Sequence, residues 1–229
     1  VAISSFEWTF VMSDSMHCCF LKSFLQPDRF ENMTRRDVYR RTWKGLESAE
    51  KAGFSPLKVN VVVIEGHNED EVVDFATLAR ERAWQARFIE FMPLDAEGNW
   101  NREKVVPAKD ILEKISRVYP LEIVSDVPAS DPARRYRFLD GVGEIGIISS
   151  VTEPFCGSCD RIRITADGKL RTCLFSHRET DLKGPLRRGA ADDELAEIIR
   201  SAVWKKEAGH GMDDPAFLQP DRAMYLIGG

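Results

Sequence analysis

"LKVNVVVIEGHNEDEVVDFATLARERAWQARFIEFM", residues 57–92, reads as strand, helix, strand. Residues 57–64 are rich in β-branched side chains and of strand length. Asn68 and Glu71 have the spacing of a capping box, opening a helix whose apolar positions are Val72, Phe75, Ala76 and Ala79. Residues 86–92 supply the next strand. Strand, helix and strand in this succession imply a βαβ unit with parallel strands.

The pattern continues on both sides. Thr34 and Asp37 also have capping-box spacing, and the helix behind them buries Val38, Trp43, Leu46 and Ala49 before stopping at Gly53. Residues 107–119 form a further helix with proline near its first turn. The fold class is therefore α/β, with a parallel sheet that is either open or closed into a barrel. Lys58 and Asn60 share one face of a strand that is otherwise Leu, Val and Ile, and Arg87 and Glu90 interrupt the next. Either these residues sit at strand ends in a solvated ion-pair network, or they line a barrel interior and meet a polar ligand.

After residue 120 the pattern changes. Residues 136–139, 143–150, 160–167 and 169–175 read as short strands, and Asp167-Gly168 is a hairpin signal. A charged helix at about 191–207 follows. This half reads as a second, smaller region.

Composition bounds the function classes. The chain has 229 residues, 43% apolar and 30% charged, as in an ordinary soluble domain or two. A net charge of −5 argues against a general nucleic-acid or membrane surface, yet allows a local basic pocket. No apolar run is long enough to span a bilayer, and the first twenty residues make a poor signal peptide. Five cysteines, three of them clustered, fit a reducing, cytoplasmic setting and a metal or redox role better than a disulfide framework.

Those three are Cys156, Cys159 and Cys173, in the pattern C-x2-C-x13-C. The first two lie in a loop after "TEPF", and the third on the far arm of the hairpin, which folds the 13-residue gap back. Two metals compete. With His177 as fourth ligand the site is a tetrahedral zinc module, a non-enzymatic binding unit. Without it, three cysteines hold an iron–sulfur cluster with one iron open to substrate. Spacing alone places zinc slightly ahead. Arg161 and Arg163, just behind Cys159, favour the cluster, because arginine forks suit phosphate or a polar base.

"SSVTEPFCGSCDRIRITADGKLRTCLF" (149–175) closely resembles the cluster segment of the GTP 3′,8-cyclase family, radical S-adenosylmethionine enzymes and lyases of molybdenum cofactor biosynthesis. The resemblance extends through "LKVNVVVIEGHNEDEV", "RFIEFMPLD" and the terminal "MYLIGG", over roughly residues 25–229. It implies a partial (βα) radical-SAM barrel followed by a smaller α+β region, with residues 25–119 in the barrel, 120–229 in the region that binds the cluster and GTP, and 1–24 outside the match. Cys156, Cys159 and Cys173 would hold a [4Fe-4S] cluster whose open iron takes the guanine of GTP. Arg161 and Arg163, with the backbone of Ile162, would contact the nucleotide. Lys58 would reach the triphosphate, Arg87 would also serve GTP, and Met92 would lie against S-adenosylmethionine. The tail, Gly228 and Gly229, would insert toward the active site. The implied activity converts GTP to 3′,8-cyclo-7,8-dihydro-GTP, with cyclic pyranopterin monophosphate synthase as pathway partner and a homodimer left open.

One family feature is missing. The cluster that cleaves S-adenosylmethionine needs C-x3-C-x2-C, whereas the only cysteines before Cys156 are the adjacent Cys18 and Cys19. The expectation is a chain that keeps the substrate half without the radical-generating half, binding a cluster and GTP but not turning over alone. His67 and His210 are expected at the surface or behind the site residues, and Cys18 and Cys19 as core thiols or products of an aberrant N-terminus.

Overall fold

In a computed structural model of the chain, the described residues are 19–21, 24–94 and 98–227. They fall into two compact units, Val1–Met92 with Trp100–Pro154, and Pro93–Asn99 with Phe155–Gly229.

The first unit begins with β1 (Cys19–Leu21), α1 (Pro27–Thr34), α2 (Tyr39–Lys51) and β2 (Lys58–Val63). α3 (Val72–Arg82), β3 (Gln85–Glu90), α4 (Ala108–Ser116), β4 (Leu121–Ile123), β5 (Arg134–Phe138) and β6 (Glu144–Ile148) follow. The strand order is β1-β2-β3-β6-β5-β4, parallel from β1 through β6 and antiparallel across β5 and β4. The α/β class expected from residues 57–92 is present. The break expected at residue 120 lies inside this unit: β4, β5 and β6 complete the same sheet, and the units divide between Pro154 and Phe155.

Strand periodicity gives the sheet two faces. Val59, Val61, Val63, Ala86, Phe88, Ile145, Ile147 and Phe138 are buried together with Leu46, Ala49, Val72, Phe75, Ala76, Ala79, Ile111 and Ile115 of the helices. Each fully buried Val, Leu, Ile or Phe contributes roughly 1.5–3 kcal/mol before entropy is counted. On the other face the registered pairs are Lys58 with Gln85, Asn60 with Arg87, Gln85 with Glu144, and Arg87 with Gly146. Lys58, Asn60 and Arg87 are half-buried, so this face keeps access to polar partners.

Helix starts differ from the expectation. Thr34 closes α1, its hydroxyl donating to the Phe30 carbonyl at 2.7 Å, and α2 begins after Val38. Residues 27–34 form a helix because Pro27 fits a first turn. Asn68 does not cap α3 through its side chain: its Oδ1 accepts from the Ile64 N–H at 2.8 Å and its Nδ2 donates to the Val62 carbonyl at 2.8 Å, fixing the turn after β2. The expected end of α2 is found, Gly53 sitting at φ +86°.

Glu90 occupies neither a solvated network nor the polar face. It is 0% exposed on the helix-covered side of β3. Its Oε1 accepts from the Ala108 N–H at 2.8 Å, at the first residue of α4, and from the Thr152 hydroxyl. Its Oε2 accepts from the Val151 N–H at 2.7 Å and the Thr152 N–H at 2.8 Å.

The second unit holds β7 (Arg163–Ile164), β8 (Lys169–Arg171), β9 (Thr180–Asp181), α5 (Lys183–Arg187) and α6 (Asp192–Trp204). Its three strands are antiparallel in that order. The expected turn at Asp167-Gly168 is present, with Gly168 at φ +81°. A Cβ there would stand 2.6 Å from the Lys183 Cβ. Arg222 ties the C-terminal segment to this turn, its Nη1 and Nη2 donating to Asp167 Oδ1 and Oδ2 at 3.1 and 3.0 Å, and to Glu179 Oε2 at 3.0 Å. Among the described residues no helix is long and apolar enough to cross a membrane.

Glu90→Ala leaves three backbone N–H groups without their acceptor, which should cost about 3 kcal/mol or more. Urea unfolding of the chain measures it, and a loss under about 1 kcal/mol would contradict the role. A second expectation concerns acid. The Arg222 guanidinium, then the Thr165 hydroxyl, hold the Asp167 carboxyl well below the usual carboxylate range. A depressed folded pKa gives stabilisation that is present above the ordinary range and lost as pH falls beneath it. Between about pH 5 and pH 2, the melting temperature of Asp167→Asn should therefore fall less steeply than that of the wild type.

Candidate metal and nucleotide site

The expected site residues divide between the two units. In the first, Lys58 opens β2, Arg87 lies in the middle of β3, and Met92 stands half-buried two residues beyond the carboxyl end of β3. Parallel α/β sheets carry ligands at that end of their strands. Arg87 Nε donates to Gln85 Oε1 at 2.7 Å.

The second unit holds the cysteines. Cys156 and Cys159 bracket a single 3-10 turn, closed by the Cys159 N–H on the Cys156 carbonyl at 3.2 Å. Cys173 follows β8 by two residues. All three are free thiols of intermediate burial. Two cations stand at Cys159. Arg161 Nη1 lies 3.7 Å from its Sγ, with the guanidinium carbon 5.3 Å from the Phe155 ring centroid. Lys206 Nζ lies 3.6 Å from the same Sγ and donates to the carbonyls of Cys159 at 2.8 Å and Arg161 at 2.9 Å.

The electrostatics separate the thiols. Burial acts to raise Cys159, but the Arg161 backbone N–H and the Lys206 and Arg161 charges outweigh it and hold the thiol below its ordinary pKa. Cys173 is pushed up, by burial first and then by Cys156, Glu207 and Cys159. Arg163 is lowered by burial and by Arg161, while Cys159 and Cys173 partly offset both. These couplings place Cys156, Cys159, Cys173, Arg161 and Arg163 within one electrostatic neighbourhood. Ile162, between the arginines, is 43% exposed.

His177 is directed elsewhere: its Nε2 lies 3.1 Å from the Leu218 carbonyl. Among the described residues no three His, Cys, Asp or Glu side chains form a ready ligand set for a single metal ion. The donor set is three free thiols, with the cations Arg161 and Lys206 at Cys159.

Lys206 and Glu207 were not singled out from the sequence. They lie more than thirty residues from the cysteines and just beyond α6. Glu207 accepts from the Ser176 hydroxyl at 2.8 Å and the Thr172 hydroxyl at 3.3 Å, on either side of Cys173. Only the long charged helix announced them, without saying where its end would dock. His210 packs edge-on to Phe175, and His67 Nδ1 lies 3.0 Å from the Glu65 carbonyl, both local structural contacts. Cys18, Gly228 and Gly229 lie outside the described residues, and of Cys19 only the strand is described.

The family described as Molybdenum Cofactor Synthesis C matches residues 84–212. The GTP 3′,8-cyclase of Streptomyces coelicolor is 48% identical over 206 residues, which is 90% of this chain and 60% of the relative. That of Moorella thermoacetica is 46% identical over 205 residues, 90% of this chain and 62% of the relative. That of Corynebacterium glutamicum is 43% identical over 210 residues, 90% and 56%. The chain thus spans less than two thirds of the length of these curated relatives. With the family matched from β3 through α6 and the end of the cysteine region, the chain belongs to the Molybdenum Cofactor Synthesis C family.

Proposed function

We propose that this chain is the substrate-binding portion of a GTP 3′,8-cyclase, carrying one [4Fe-4S] cluster on Cys156, Cys159 and Cys173. The observation that carries the reading is the placement of Arg161 and Lys206 at the Cys159 sulfur, beside the other two cysteines of the pattern. When bound, such a cluster supplies an iron that lacks a protein ligand and acts as a Lewis acid toward a substrate base.

The chain's own residues supply the rest. Lys206 and Arg161 favour the thiolate of Cys159, the form that ligates metal. Arg161 and Arg163 offer planar donor forks to the nucleotide, and Ile162, exposed between them, offers its backbone. Lys58 and Arg87 serve the phosphates from the polar sheet face, and Met92 borders S-adenosylmethionine. Gly228 and Gly229, outside the described residues, belong to the same reading as a tail without side chains. The partial radical-SAM barrel, the pathway step before cyclic pyranopterin monophosphate synthase and a cytoplasmic setting belong to the same reading.

Chain prepared without oxygen should contain iron and sulfide and absorb broadly near ~400 nm, as clusters on thiolates do. Cys156→Ser, Cys159→Ser and Cys173→Ser should each lose most of the iron. A colourless chain holding one zinc would sink the reading and restore the zinc module. Arg161→Ala and Arg163→Ala should each weaken GTP binding about tenfold while leaving iron unchanged, each removing a charge-assisted contact. Unaltered affinity in both would remove these arginines from the site.

A further inference from the structure

Arg87 is held at one end and open at the other. Its Nε donates to Gln85 Oε1 at 2.7 Å. Among the described residues its two terminal nitrogens have no protein acceptor. Its stem is pinned by the neighbouring strand, because a Cβ at Gly146 would stand 3.2 Å from Arg87 Cγ and 3.2 Å from the Ala133 Cβ. A larger residue at 146 would make the arginine stem or Ala133 give way, so glycine leaves room for the arginine across β6.

Gln85 is itself fixed. It is 2% exposed, and its Nε2 donates to Glu144 Oε2 at 3.0 Å. The same carboxylate oxygen accepts from Arg135 Nε at 3.0 Å and Nη2 at 2.6 Å. The Arg135–Glu144 ion pair thus dictates the direction of the amide. Nε2 must face Glu144, so Oε1 must face Arg87.

The choice of an amide has an electrostatic consequence. A carboxylate at position 85 would orient Arg87 equally well but would cancel its charge in an internal pair. A neutral acceptor fixes the guanidinium and leaves its charge for a ligand. A fork held by Nε and open at both terminal nitrogens matches two oxygens of one phosphate.

We propose that Gln85 is the positioning residue for Arg87, directed by the Arg135–Glu144 pair, and that the fork so presented takes phosphate oxygens of the bound nucleotide. This rests on the nucleotide reading above. The gain is preorganisation: the arginine is ordered before the ligand arrives.

The test compares wild type, Gln85→Leu, Gly146→Ala and Arg87→Ala as the full chain. Gln85→Leu removes the acceptor at similar volume, and Gly146→Ala displaces the stem without touching the amide. In ligand-free protein, the Arg87 Nε–H should give a protected nitrogen-15 NMR signal that Gln85→Leu abolishes. For binding, GTP and GMP are titrated, since they differ only in phosphates. Gln85→Leu and Gly146→Ala should weaken GTP about fivefold to tenfold and GMP less than about twofold, reproducing the selectivity of Arg87→Ala. If Arg87→Ala loses GTP while Gln85→Leu and Gly146→Ala keep it, the positioning role is overturned and the nucleotide reading stands. If wild type binds no GTP, the nucleotide reading falls and takes the phosphate role with it; if wild type binds GTP and Arg87→Ala changes nothing, the phosphate role of Arg87 is overturned while the nucleotide reading stands.

Discussion

One buried carboxylate joins three stretches of the first unit. Glu90 ends β3, the first N–H of α4 donates to it, and so do the N–H groups of Val151 and Thr152 past β6. A carboxyl group at 0% exposure is tolerable only with its oxygens hydrogen-bonded, and four donors, three backbone and one hydroxyl, accomplish that. The α4 dipole favours a negative charge at the same place. The path that the chain takes from β6 toward Cys156 is therefore set by the end of a strand some sixty residues earlier. Were Glu90 apolar, the amides of 151 and 152 would need other acceptors, and the segment leading to the cysteines would have no fixed start.

The strands and helices that bury a continuous stripe were legible. The alternation in residues 57–64 and the helical spacing of Val72, Phe75, Ala76 and Ala79 reflect burial against one partner face, and the structure buries those helix residues. Features decided by tertiary contact were not. Asn68 has capping-box spacing, but its amide serves the backbone of Ile64 and Val62, a use that only the turn geometry selects. Arg87 and Glu90 look alike in sequence as charges interrupting a strand. Three positions apart, they fall on opposite faces, one half-buried on the polar face and the other capping a helix. β4 and β9 are too short to carry a periodic signal, and they form because a neighbouring strand offers an edge.

At the candidate site the cysteine spacing and the two arginines were readable because they are local. Lys206 was not, since a single lysine beyond a charged helix resembles any solvated one. Its place depends on where α6 ends relative to the turn at Cys159. The same holds for Gln85, whose importance comes from its registered neighbour Glu144 rather than from any motif.

The acceptors chosen by the cations divide them into two kinds. Arg171, 1% exposed, reaches Glu179; Arg222 grips Asp167 and Glu179; Arg135 grips Glu144. Their charge is compensated inside the protein, so their role is to hold segments together. Arg87 is held by an amide oxygen, and Lys206 by the carbonyls of Cys159 and Arg161. Neutral acceptors order these two side chains without cancelling them. Each then projects an uncompensated positive potential, Lys206 onto a sulfur and Arg87 across the polar sheet face. In a chain whose net charge is −5, such local potential depends on the cation having a neutral direct acceptor. The kind of acceptor, rather than an excess of basic residues, is what separates these two cations from the others.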